Sequence, residues 1–520
     1  MSELSQPTRK LIEGYQSWQQ STQMKEGTAT VHVDEVASKV AAFYEKMRGV
    51  VDWKEEHLFR KTAVERALKR RILFKRNGEQ IAGALVYELI RGGHFPNDKI
   101  PESKIEEVQK LIDKYIFILD NAPPSKKEKM TSRLYDWLIE IAACEVEEIL
   151  APPIKEKSLL NYATELIAER TVIRGGVVTL GGIGEEEKNT QIYIALQRTL
   201  FNFDSSLISY NLLNRKYPQW RNLPLEQLRE TTQNIYLIRE GIKKDLNHLL
   251  ADKFFQVCER YDTPYLILGD VISENPMEAK DKVANPELLE TSVRYSYNKR
   301  SSTLKSRLGR AAFYATLSIF LTNILSLYAI EIPLAKFVLG HFSPLGIAID
   351  IFAPTLLMFL LIVTVKLPKK ENLEVVIMEV MKIAYVNDKK DIYEIRIYKK
   401  RGVVMRGLVT IFYFLSFLLF TGLIVWGLSY INLPPTSHFI FIVFVSLIAF
   451  AGTKIRRRAR ELQVIKEKEN FFYFLIEVFS IPITQLGKWL STRWTRYNAI
   501  ARFFSSLIDL PFQVFIEFLE

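Results

Sequence analysis

Asp350 is the only charged residue in the run PLGIAIDIFAPTLLMFLLIVTV, residues 344–365. A carboxylate about six residues inside such a run is costly in hydrocarbon unless it is protonated, paired or turned to a wet cavity, so it reads as a proton or ion site. Pro354, one helical turn later, lacks an N–H, and in a helix it would kink the chain and open local polar space. The alternative is that the run enters hydrocarbon only after Asp350. The carboxylate would then lie among headgroups, ahead of about fifteen apolar residues that end at Lys366.

A second candidate is RGGVVTLGGIGEEEKNTQ, residues 174–191, where Gly181, Gly182 and Gly184 precede a helix expected near Gln191. In outline it resembles a loop that cradles phosphate at a helix N-terminus. No Lys-Ser/Thr pair follows the glycines, however, and Glu185, Glu186 and Glu187 would put negative charge where the phosphate belongs. Those glutamates suit the positive end of a helix dipole without any ligand, which favours a turn-rich connection.

Other clusters read as solvated faces. Asp245, His248 and Asp252 fall at i, i+3 and i+7 of an expected helix, but with six His in the chain and no His-Glu-x-x-His, no metal site is called for. Glu140, Glu145, Glu147 and Glu148 read as the polar surface of one helix. KRRILFKR (69–76) could hold RNA or an acidic lipid, yet no nucleic-acid motif accompanies it. Cys144 and Cys258 are the only cysteines, which excludes a disulfide framework and a Cys-based metal site. No catalytic set emerges, and no cofactor is implied.

The elements that must position these residues divide in two. A chain of 520 residues exceeds what one core usually serves. Its mean hydropathy of +0.02 averages a polar region with an apolar one that begins near residue 310. Residues 1–300 read as a mainly helical, cytoplasmic region with a subdivision near 151–155, since the polar N-terminus carries no signal-peptide pattern. Apolar stripes at steps of three and four predict helices at 33–48, 105–119, 133–150 and 238–261. Residues 170–184 could form a short hairpin, and YLILGDVI (265–272) fits helix or strand.

Beyond residue 310, four apolar runs at 311–330, 344–365, 404–430 and 439–452 predict four transmembrane helices. Basic clusters flank them: Arg307 and Arg310 before the first, Lys366 to Lys370 after the second, Lys399 to Arg401 before the third, and Arg456, Arg457 and Arg458 after the fourth. The connections 331–343 and INLPPTSHF (431–439) carry one Lys or Arg between them, Lys336. This asymmetry puts both termini in the cytoplasm and folds the runs into two hairpins, 311–366 and 404–453. The small insert 367–403, with a strand at IYEIRIY (392–398) after a turn at 387–391, would dock on the N-terminal region.

The tail, 454–520, is a basic linker followed by aromatic segments broken at Pro482 and Pro511, and predicts two or three interfacial helices anchored by Trp489 and Trp494. The expected fold class is thus mainly α: a helical cytoplasmic region, a polytopic α-helical membrane domain and C-terminal interfacial helices. The net charge of +11 is explained by cationic collars facing anionic headgroups, which makes nucleic acid the less economical partner. Three functions follow in order: a membrane protein whose cytoplasmic region scaffolds a protein partner or a homo-oligomer; an oligomeric channel or transporter using Asp350; a membrane-bound enzyme acting on nucleotide or lipid near Gly181 to Lys188.

Overall fold

The computed structural model describes residues 3–23, 27–34, 56–74, 81–124, 128–174, 183–328, 332–334, 344–365, 368–386, 391–396, 402–431, 433, 435–464 and 471–496. The chain is mainly helical and divides into two compact units. One comprises 1–297 with 374–398, the other 298–373 with 399–520. The helix expected at 33–48 and the turn at 387–391 lie largely outside the described residues, as does the tail after Arg496.

In the first unit the helix Glu128–Leu150 is central. From Ile141 to Glu148 every residue is buried, and helices Glu56–Phe74, Ser103–Asn121 and Ser205–Lys216 pack around it. Local chemistry sets the ends of the elements. Asp204 caps Ser205–Lys216 by accepting the Leu207 N–H at 3.0 Å, and Ser5 caps Gln6–Thr22 by accepting that of Thr8 at 3.3 Å. The pattern at 238–261 proves to be two helices, Ile235–Leu246 and Ala251–Tyr261, because the chain turns at Asn247 to Leu250. YLILGDVI is helical, within Thr263–Glu274.

Most of the hairpin expected at 170–184 lies outside the described residues, and its described first strand makes a long-range pairing. Strand β1, Thr171–Arg174, runs parallel to strand β2, Tyr393–Arg396, with Thr171 opposite Tyr393. Tyr261 stacks on Tyr393 at 3.8 Å, and Tyr162 Oη donates to the Ile383 carbonyl at 2.9 Å. The segment 374–398 is thereby built into the same unit as the N-terminal residues. A two-residue-period pattern fixes a strand but not its partner.

Among the described residues, three helices are long and apolar enough to cross a membrane: Pro286–Leu325, which begins in the first unit, and Val403–Tyr430 and Ser437–Ala459 in the second. A shorter apolar stretch, Ala348–Val363, belongs to the helix Pro344–Val363. The run that looked shortest in sequence, 439–452, is lengthened by a helix that starts at Pro435 and continues through Arg456 to Ala459. Pro435–Ala459 packs against Phe471–Arg496, Pro344–Val363 and Val403–Tyr430. Small residues allow close approach: Gly487 lies against the Ser446 backbone carbonyl, where any side chain would clash. The tail does not break at Pro482, since Phe471–Arg496 is one helix that includes it. Its packing against neighbouring helices compensates for the missing hydrogen bond.

Candidate functional site

Two sets of buried charge invite a functional reading. The first surrounds Glu128–Leu150 and overturns the expectation of a polar surface. Glu145, Glu147 and Glu148 are 2%, 4% and 6% exposed, and each turns to a different cation. Glu145 accepts from Lys114 Nζ at 2.7 and 2.9 Å and from Tyr115 Oη at 2.6 Å. Lys114 also donates to the Trp220 carbonyl at 3.1 Å, and Trp220 Nε1 donates to Tyr115 Oη at 3.1 Å. Glu147 accepts from Arg60 Nε at 2.9 Å, and Glu148 pairs with Lys157 and Arg221. Nearby, Lys61 binds Asp204 at 2.5 Å and Ser206 at 2.6 Å.

Burial sets the direction in which Lys114, Tyr115, Glu147 and the neighbouring His57 shift. It lowers the Lys114 ammonium despite the adjoining Glu145 carboxylate, and drives the Tyr115 phenol well above its usual value. Glu147 is pushed up to about 7 by desolvation, against the opposing pull of Arg60. His57 is lowered to about 4, first by burial and then by Arg60. Burial also raises the Cys144 thiol well above its ordinary value, which disfavours the thiolate. Paired in this way, the three glutamates hold neighbouring helices to the central one.

The second set lies in the apolar unit. Asp350 is 4% exposed, and neither carboxylate oxygen has a hydrogen-bond partner. Asn323, 3% exposed, donates from Nδ2 to the Ile351 carbonyl at 3.2 Å, while its own Oδ1 is unpartnered. This bond brings the Asn323 amide to the turn that carries Asp350, and Phe320 and Phe352 pack beside it with ring centroids 6.4 Å apart. Pro354 is inside the helix, four residues after Asp350. Having no N–H, it leaves the Asp350 carbonyl without its normal intrahelical donor. Thr355 Oγ1 folds back on the next carbonyl, Ile351, at 2.8 Å.

The sequence singled out Asp350 and Pro354 but missed Asn323. The available signal was an amide in the middle of the 311–330 run. Gly181 and Gly182 lie outside the described residues. Gly184 precedes the helix Glu185–Leu200, whose first turn holds Glu185, Glu186 and Glu187, and Lys188 is engaged by Glu185 at 2.7 Å. Asp245 and His248 are not gathered for a metal: Asp245 pairs with Lys216 at 2.5 Å and His248 with Glu187 at 3.2 Å. Among the described residues no group of three His, Cys, Asp or Glu could hold a metal ion.

Lys69, Arg70 and Arg71 are likewise paired, with Glu65 and Asp136 for the first and Glu88 for the other two. Arg307, Arg310, Arg456 and Arg457 are exposed and Arg458 is half-buried. Trp489 is exposed beneath the Arg493 guanidinium at 5.9 Å, and the Trp494 side chain lies outside what is described. No protein-family model matches the chain, and no curated protein or solved structure matches it either.

Proposed function

We propose that the chain is an integral membrane protein that passes a small charged solute through the bilayer by way of Asp350, as a channel or transporter assembled from several copies. One observation carries this reading: a carboxylate that is 4% exposed among apolar helices, with both oxygens unpartnered. A permanent, unneutralised charge there costs at least about 2.5 kcal/mol, and a purely structural role would have supplied a partner for it.

The reading takes four spans in two hairpins: the apolar end of Pro286–Ser326 with Pro344–Val363, and Val403–Tyr430 with Pro435–Ala459. The basic collars at Arg307, Arg310 and Arg456 to Arg458 favour a cytoplasmic location for both termini and the helical unit, with the membrane being the cell membrane. Trp489 and Arg493 suit a headgroup contact of the last helix, and the same collars suit anionic lipid. Reconstitution into vesicles tests the reading. Asp350→Asn should abolish ion flux while leaving assembly intact; equal flux in the two proteins would dispose of it.

A groove in the helical unit favours a second reading, in which that unit also binds a protein partner. It is a shallow, open groove of about 440 Å³ lined by Glu290, Glu374, Met378, Met381 and Val386, with Met378 half exposed. Adaptable methionines are common on such surfaces. Met378→Lys should release a protein that co-purifies stoichiometrically with the intact chain. Retention of that protein would remove the groove from consideration.

A further inference from the structure

At the turn around Asp350 the oxygens that lack donors outnumber what a proton can satisfy. Asp350 Oδ1 and Oδ2 and Asn323 Oδ1 have no hydrogen-bond partner, and the Asp350 carbonyl lacks the N–H that a residue other than Pro354 would have supplied. All are hard oxygen donors, and together they carry one formal negative charge. Lys and Arg are absent from residues 311–328 and 344–365, so neither helix supplies a cation from its apolar run. In hydrocarbon, unpaired acceptors and uncompensated charge are both unfavourable. An occupant that brings one positive charge and reaches several of these oxygens would answer both.

Three occupants can be compared on those terms. A proton neutralises Asp350 but adds a single donor, so at most one of the remaining acceptors is satisfied. A divalent ion engages all of the oxygens but leaves a net positive charge among apolar helices. A monovalent metal ion matches the charge and coordinates several oxygens together. Soft ions prefer sulfur, which this turn does not offer.

Resting on the reading of Asp350 as a membrane ion site, we infer that this turn binds one dehydrated alkali-metal cation, with Asp350 supplying the charge and Asn323 a neutral ligand. Asn323 then has two tasks: its Nδ2 ties the two helices together through the Ile351 carbonyl, and its Oδ1 faces the ion. Pro354 contributes by freeing a backbone oxygen, the usual use of irregular backbone at membrane depth. Binding of the ion pins Pro286–Ser326 to Pro344–Val363 at this point, and its release leaves two helices with an unneutralised acid between them.

The test uses the full chain in detergent, unfolded thermally at constant pH and ionic strength in the chlorides of lithium, sodium, potassium or choline, and separately with calcium added. The expected result is a saturable rise in unfolding temperature with at least one alkali ion and none with choline. Asp350→Asn should abolish that rise, and Asn323→Ala should weaken the apparent affinity by about tenfold, a loss of about 1.4 kcal/mol. Identical curves in all monovalent salts, a larger rise with calcium, or an unaltered response in both variants would each overturn the inference. If Asp350→Asn does not fold, the salt series on the unaltered chain and Asn323→Ala decide the matter. A cation-specific rise without vesicle flux upholds the site and defeats transport. Flux that needs Asp350 and a pH gradient but ignores alkali ions upholds transport and defeats the cation.

Discussion

Glu145 and Asp350 are both acids buried beyond nineteen parts in twenty, yet their surroundings are opposite. Glu145 receives two contacts from Lys114 and one from Tyr115, in a helical unit where Glu147 and Glu148 also have cations of their own. Asp350 receives none. The comparison separates charge that organises a core from charge that waits for an occupant. In the first case the protein provides the counter-charge from a neighbouring helix and the acid specifies how helices meet. In the second the protein provides no hydrogen-bond partner, and on the proposed reading the counter-charge arrives from outside.

The largest effect that would sharpen this contrast is on Glu145. Glu145→Ala strands the Lys114 ammonium in the core and should destabilise the protein by about 3–5 kcal/mol, measured by denaturant unfolding. Asp350→Asn, which removes a charge and strands none, should leave unfolding in choline chloride unchanged or raise its midpoint. If the two substitutions destabilise equally, the two acids are alike and the contrast is broken.

A smaller effect concerns pH in the helical unit. Glu147 is raised from 4.5 to about 7, so its contribution to stability is complete below pH 4.5 and is lost as the pH rises through 7. His57 is lowered from 6.5 to about 4, so its contribution is complete above pH 6.5 and is lost as the pH falls through 4. Between pH 4.5 and 6.5 the two oppose each other. Glu147→Gln should therefore gain stability relative to the unaltered chain between pH 4.5 and 7, by about 3 kcal/mol, and His57→Gln should gain it as the pH falls from 6.5 to 4. Parallel pH profiles for all three proteins would remove both assignments.

The packing of the last helix comes next. Gly487→Val places a side chain against the Ser446 carbonyl and should cost about 1–3 kcal/mol, or loosen Phe471–Arg496 enough to expose it to protease. At the small end, Lys104→Ala removes an exposed partner of Glu107 and should shift stability by less than about 0.5 kcal/mol. A large loss there would mean that surface pairs matter as much as the buried ones.

Much of the architecture was legible residue by residue. The helices Ser103–Asn121 and Glu128–Leu150 cover stretches whose periodicity announces them, and the apolar runs stand out by length. The misread elements share one cause. Glu145, Glu147 and Glu148 look like a wet face because composition cannot reveal that cations from other helices close over them. The partner of Thr171, Tyr393, stands more than two hundred residues away, where no local reading reaches. Pro482 looks like a break because the rule describes an isolated helix, and here adjacent helices hold the chain in helical form. Of the candidate site, Asp350 and Pro354 were visible as an acid and a helix breaker in an apolar run, and Asn323 was not.

By itself the sequence determined that the chain is mainly helical, which stretches are apolar enough for hydrocarbon, where basic residues crowd their ends, and that one acid lies among them. These properties are set by residue type and spacing over a few turns, so no fold is needed to read them. Tertiary structure alone decided that Asp350 is left without a partner, that the amide of Asn323 reaches its turn, and that the acids of the central helix are matched. Whether a buried charge is satisfied depends on groups brought together from distant parts of the chain, and only packing settles which groups those are.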